Sequence, residues 1–371
     1  MSETISLKEK FYGCIAGTYV GAAMGAPVEG LSHQEIEAKY GVLNTFLPYE
    51  RNNNGWIREA GTTEDGVERQ KLMTTAILAK QDRVNAEDIR SIWVKDIKQD
   101  AGGMITEPFE NTLLAVAKSG IPARDIGKYC DYAGLSSASG SCQPIGLINA
   151  GDVRNAVADA FEIGQLYQTS KSYAVRWAGV SAAAIASATK PGATVDSVIG
   201  DIFRYCDYTD LALKIDGNKY GYLRDNVIQE LDSGLKRTAH CKDFGELREA
   251  FDKIYYGCGV PYCNSFANEA LTKAICILRL VNGNAYEAIL AGVNMGRDTG
   301  AVAAIAGGLA GTLKGAGSIS AELIKQVDYA TSLNPYTNNQ RTIQEQADGL
   351  YRAFHARLQK INTFTETMLA V

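Results

Sequence analysis

Two short acidic stretches hold the residue types best able to break a bond. The first, Ala60-Gly61-Thr62-Thr63-Glu64-Asp65-Gly66-Val67-Glu68-Arg69, reads as a loop running into a helix. Thr62 or Thr63 suits the N-cap, and the helix dipole favours acids in a first turn, so capping alone accounts for much of this composition. Yet Glu64, Asp65 and Glu68 stand at i, i+1 and i+4, which places Glu64 and Glu68 on one helical face with Asp65 beside them. Acids so close repel one another unless a cation or a shared proton holds them, and both solutions are chemically useful. The second stretch, Asn294-Met295-Gly296-Arg297-Asp298-Thr299-Gly300-Ala301, opens another helix with Asp298 at the N-cap position. Because the residues that follow are nearly all Ala, Gly, Val, Ile and Leu, this helix should be buried and should start at an internal pocket. Arg297 brings a permanent cation with a planar donor fork beside Asp298; it either neutralises the acids or grips a substrate oxyanion, or it makes a structural salt bridge.

Helices must position these loops. Long windows rich in Ala, Leu, Ile, Glu and Lys, with few and scattered prolines, predict an all-α chain, and strand-like alternation is hard to find. The expected helices include 7–24, 66–80, 86–98, 109–117, 152–168, 172–189, 194–205, 223–238, 243–255, 265–281, 285–295, 299–314, 321–332 and 343–362. Turn residues such as Asn52-Asn53-Asn54-Gly55 and Lys190-Pro191-Gly192 punctuate them, and no linker is long enough to divide the chain, so residues 1–371 are expected to form one domain. Asp216-Gly217-Asn218 marks an insertion loop within 207–222. Gly13, Gly17, Gly21 and Gly25 recur every four residues, as do Gly307, Gly311 and Gly315. That spacing lines one ridge of each helix with hydrogen atoms and predicts close backbone packing at the centre, the alternative being a surface that admits a ligand.

Composition removes several function classes. A net charge of -5 with no basic stripe disfavours a nucleic-acid partner. With only three histidines and eight cysteines lacking a CxxC pair, a Cys/His zinc site is not expected. The charged opening lacks a signal-peptide core and no apolar run reaches the roughly 20 residues of a membrane span, so a cytoplasmic location is expected.

Four segments, in order, resemble the ADP-ribosylglycohydrolase family. Gly17-Thr18-Tyr19-Val20-Gly21-Ala22-Ala23-Met24-Gly25-Ala26-Pro27-Val28-Glu29 is similar to its first helix, GxxxGDALGxPxE, and Thr63-Glu64-Asp65-Gly66 to its TDDT loop. Ser137-Ala138-Ser139-Gly140-Ser141-Cys142-Gln143-Pro144-Ile145-Gly146-Leu147 resembles a small-residue segment ending in PIGL, and Gly296-Arg297-Asp298-Thr299-Gly300 the start of its GGDTDT helix. The resemblance implies a compact orthogonal helical bundle that hydrolyses ADP-ribosyl or related ribosyl linkages with Mg²⁺ or Mn²⁺ between the two acidic loops. Carried over by position, Thr63, Glu64, Asp65 and Asp298 match metal ligands, and Glu29 matches an acid near the cleft. Gly300 and Ala301 replace an aspartate and a threonine of that pattern, and Ala22 another aspartate, so one ion rather than two is expected.

The resulting expectation is a glycoside hydrolase acting on a small glycoside or an ADP-ribosylated acceptor as a monomer. Glu64 and Asp65 would hold the ion or orient water, Asp298 would hold the ion or ribose hydroxyls, and Glu29 or Glu68 would transfer protons. Arg297, Ser139, Ser141 and Asn264 are candidate substrate contacts; Trp56 either walls the pocket or anchors its loop. The aromatic segment 255–262 suits base stacking or plain surface packing. Two rivals stand beside this reading: a metal-independent hydrolase or lyase, and a non-catalytic nucleotide or sugar binder.

Overall fold

The computed structural model describes residues 5–51, 53–97, 108–130, 134–170, 172–207, 227–255 and 265–370, without the side chains of 108–110. Eighteen α-helices and no strands are found among them. In chain order they are α1 (Leu7–Gly25), α2 (His33–Tyr40), α3 (Asp65–Lys80), α4 (Ala86–Asp96), α5 (Pro108–Lys118) and α6 (Ala123–Ile126). Then come α7 (Ser137–Ser141), α8 (Gln143–Ile148), α9 (Val153–Gly164), α10 (Tyr173–Ala188), α11 (Val195–Tyr205) and α12 (Val227–Arg237). The last are α13 (Phe244–Tyr255), α14 (Ala267–Leu280), α15 (Ala285–Val293), α16 (Thr299–Lys314), α17 (Ala321–Leu333) and α18 (Ile343–Leu369). The all-α class is as expected. α2, α6, α7 and α8 are additions, each of eight residues or fewer and so too short for a sustained apolar pattern, and α18 runs on to Leu369 rather than stopping near 362.

Local sequence starts most of these helices. Ser6 with Glu9, Ser32 with Glu35, Asn85 with Asp88 and Thr342 with Glu345 form reciprocal capping boxes at α1, α2, α4 and α18. α3 is different. Its N-cap is Glu64, in extended conformation, and the Glu64 side chain makes no capping bond.

The two glycine ladders are the central packing device. A Cβ on Gly13, Gly17, Gly21 or Gly25 would lie 2.2, 2.1, 2.3 or 2.5 Å from the carbonyl oxygen of Gly311, Gly307, Ala303 or Thr299 respectively. No real side chain fits such gaps, so α1 and α16 touch backbone to backbone. The partner numbers fall as α1 advances, which makes the pair antiparallel and brings the end of α1 to the start of α16. There the Thr299 hydroxyl donates to the Gly25 carbonyl at 2.7 Å. Around this pair a hydrophobic cluster draws on nearly every helix, with Phe11, Tyr19, Tyr167 and Trp177 among its largest buried members. Cys14, Cys142 and Cys276 fill it as expected, their thiols pushed up to about 12, 12 and 11 by burial. No helix among the described residues is long and apolar enough to cross a membrane.

Candidate active site

The antiparallel glycine contact fixes where the first acids meet. Just beyond α1, a 3-10 turn at Ala26–Val28 delivers Glu29, and Asp298 caps α16 by accepting from the Ala301 amide at 3.2 Å. Their two loops are stitched together: Gly30 donates to the Arg297 carbonyl at 2.8 Å, and the Arg297 amide donates to the Leu31 carbonyl at 2.7 Å. This close approach needs positive φ at Gly296, where a Cβ would lie 2.5 Å from the His33 nitrogen, and imposes φ 69° on Arg297 itself.

Asp65 opens α3 and points into the same space. Its carboxylate accepts from the Gly66 amide at 2.8 Å and from Arg69, one turn on, at 2.5 Å. Glu64, freed from capping, takes an ion pair from Arg51. Arg51 also donates to Glu29 at 3.0 Å, so one guanidinium bridges two carboxylates from different elements. The strap that carries it is held in place by side chains and backbone alike. Tyr49 and Arg58 exchange backbone hydrogen bonds, Arg58 stacks 4.3 Å over Trp56, and the Trp56 ring lies edge-on to Tyr336 with centroids 4.8 Å apart. A third wall comes from the start of α7, where Ser136, Ser137, Gly140 and Ser141 face the cleft beside Ser265. Ser136 lies 3.5 Å from the Asp298 carboxylate.

Together these surfaces enclose a cleft that opens to solvent at its mouth. Glu29, Glu64, Asp65 and Asp298 all line it. Burial and the neighbouring acids push the Asp298 carboxyl up to about 7, and the same causes hold Glu29 well above the carboxylate range despite Arg51. Burial acts on Asp65 too, but Arg69 and Arg51 outweigh it and hold the group below its ordinary value. The cleft thus separates carboxyls by ionisation, as acid-base sites do.

Several expectations change place. Glu68 does not line the cleft: fully buried, it accepts from Lys71, Thr337 and Asn338. Glu64 and Glu68 share no face because Glu64, at φ -112° and ψ -168°, stands outside the helix that their spacing assumed. For the same reason Thr62 and Thr63 are not the cap, and Thr63 is buried without lining the cleft. Arg297 turns away to a bidentate pair with Glu269 at 2.6 and 2.8 Å, which Lys273 joins at 2.7 Å. Trp56 anchors the strap, outside the cleft lining. Of the two serines, Ser141 lines the cleft, whereas the Ser139 hydroxyl is spent on the Ser136 carbonyl at 2.6 Å. Asn264 and residues 256–262 of the aromatic segment lie outside the described residues, as does the insertion loop from 208 onward.

Arg51, Gln70 and Ser136 are among the cleft residues that escaped the sequence reading. Arg51 follows a strand-like bridge and precedes the Asn-Gly turn, and that turn was the available signal for a strap folding back over the site. Gln70 is buried and lines the cleft with both amide atoms lacking a protein partner, which suits it to a ligand. The donor set does not fit a divalent cage as arranged. No group of three or more His, Cys, Asp or Glu side chains among the described residues is placed to hold a metal ion, and Ala22, Gly300 and Ala301 line the wall with no oxygen to offer from a side chain.

A family profile described as ADP-ribosylglycohydrolase matches residues 3–359. Among curated proteins, an uncharacterized protein of Archaeoglobus fulgidus is 25% identical over 82% of this chain and 88% of its own length. The uncharacterized protein YegU of Escherichia coli is 22% identical over 90% of this chain and 99% of its own. A solved structure titled ADP-ribosylglycohydrolase-related protein complex superposes with a TM-score of 0.61 at 14% identity, covering 94% of this chain and 99% of that one.

Proposed function

The chain belongs to the ADP-ribosylglycohydrolase family, and from that premise we propose that its cleft hydrolyses an N- or O-ribosyl bond with a pair of carboxyl groups. Members of the family are generally hydrolytic on ADP-ribosyl linkages and usually depend on metal. The observation that carries the proposal is the set of buried carboxyls facing one cleft, with Asp65 in the grip of two arginines and Asp298 without one in hydrogen-bond contact among the described residues.

Asp65, held ionised by Arg69 and Arg51, orients a water and takes its proton as that water attacks the anomeric carbon. Asp298, which burial raises to about 7, gives its proton to the departing oxygen or nitrogen as the glycosidic bond breaks. Glu29 stays paired with Arg51 beside them. The hydroxyls of Ser136 and Ser141 and the Gln70 amide supply neutral hydrogen bonds to sugar hydroxyls, and the low exposure of the cleft strengthens each of them.

Purified protein incubated with ADP-ribosylated arginine, ADP-ribosylated serine peptide and simple nucleosides should release ADP-ribose or free ribose from at least one of them, read by chromatography. Asp65→Asn and Asp298→Asn should each lower kcat by about 10²–10⁴-fold. Wild-type turnover that survives both substitutions would remove the mechanism. A second reading, a binder without turnover, draws on the loss of polar side chains at Ala22, Gly300 and Ala301 along the wall. Calorimetric binding of ADP-ribose with no product after prolonged incubation of any substrate would favour it.

A further inference from the structure

We propose that Arg51 is a built-in cation whose guanidinium takes the place between Glu29 and Glu64 that a divalent ion would need, so the cleft itself does not bind one. Geometry comes first. The two ends of the guanidinium reach different carboxylates, one on the loop after α1 and one at the cap of α3, as a bridging ion would. A guanidinium is permanently charged, and its planar fork satisfies two carboxylates at once. It is also placed by construction, because the strap is pinned on both sides of Arg51. The Tyr49–Arg58 bridge closes it, the Tyr49 hydroxyl donates to the Thr62 carbonyl at 3.2 Å, and Gln326 donates to the Ala60 carbonyl at 2.7 Å.

Changes on the opposite wall fit the same reading. A Cβ on Gly300 would lie 3.1 Å from the nearer Glu29 oxygen and 3.8 Å from a Glu64 oxygen, so any side chain there would crowd the bridged pair. Ala22 and Ala301 add no side-chain oxygen beside Asp298 on that wall. Glu64 keeps one buried oxygen with no protein partner. That oxygen can accept from a ligand hydroxyl, but Arg51 engages the other Glu64 oxygen and Glu29, and Arg69 and Gly66 engage Asp65, so the set is not arranged to give the six or so oxygens a hard divalent cation gathers. A wall poor in donors and a guanidinium reaching in from the strap are thus complementary features of one cleft.

The inference rests on reading this cleft as the reactive site, but its test does not rest on turnover. EDTA-stripped full-length protein is titrated with Mn²⁺, followed by calorimetry and by the electron paramagnetic resonance of free Mn²⁺. Wild type and Arg51→Lys, which both keep a cation in place, should leave Mn²⁺ free. Arg51→Ala should bind it at least about tenfold more tightly, as expected when ligands lose a competing charge, and Arg51→Ala combined with Glu64→Gln should lose that gain. Should Arg51→Ala fold poorly, Arg51→Gln replaces it, with a rise in Tm on adding Mn²⁺ as the readout. Stoichiometric Mn²⁺ binding by wild type overturns the proposal, and so does an alanine or glutamine variant that binds no better than wild type. A protein that cleaves no glycoside leaves either result standing.

Discussion

Asp298 and Glu29 show how single side chains in this cleft are tuned by what surrounds them. Both carboxyls sit above their ordinary range, so the folded chain binds protons there more tightly than the unfolded chain does. Their contribution to stability is complete below pH 4 and is lost as pH rises towards about 7, where Asp298 ionises in the fold. Raising the pH from 5 to 8 should therefore lower the urea midpoint of wild type. Asp298→Asn keeps a good N-cap and should show a smaller drop, and an unchanged drop would refute the assignment. Glu269 presents the opposite arrangement, a buried acid between the buried Lys273 and the half-buried Arg297. Glu269→Gln removes the charge that the buried Lys273 ammonium pairs with and should cost about 3–5 kcal/mol in chemical denaturation. Residue types announced part of this: acids in two loops were legible as a candidate site. Which way each one faces was not, because Glu68 differs from Asp65 only in the neighbours that folding supplies, Thr337 and Asn338, far away along the chain.

Among elements, the α1–α16 crossing was readable in advance because glycine every four residues has a single geometric consequence, a smooth ridge. Gly17→Ala would put a methyl 2.1 Å from the Gly307 oxygen, and overpacking of this kind should destabilise by about 1–3 kcal/mol or more. Gly200, within α11, meets nothing within 4 Å of an added Cβ. Gly200→Ala should stabilise by about 0.4–1 kcal/mol, and paired urea melts of the two variants test both signs together. The start of α3 was less legible. Two threonines before two acids look like a conventional cap, and only tertiary structure reveals that Glu64 takes the cap position and gives its side chain to Arg51. The strap itself carries no periodicity, so its turn could be seen while its destination could not.

At the scale of the molecule, helical content follows from composition, and the order of the two acidic loops follows from the topology that joins them. The long final helix is another matter. Beyond Arg357, the last buried residue of α18, its side chains are exposed, with Ile361, Phe364 and Met368 on one apolar stripe. A chain ending at residue 359 should lose less than about 1 kcal/mol in a urea melt and should associate less in sedimentation at high concentration; a collapse of the melt would show that the overhang is structural. The glycine crossing has a longer reach. With no side chains between them, the two central helices form an incompressible strut, and the floor of the cleft, anchored at its end, has no slack to spread for a bulkier guest. Adaptation to a new substrate must therefore come from the strap and the serine wall, so libraries aimed at Arg51 and at 136–141 should shift selectivity, whereas libraries aimed at the strut should yield mainly unfolded protein.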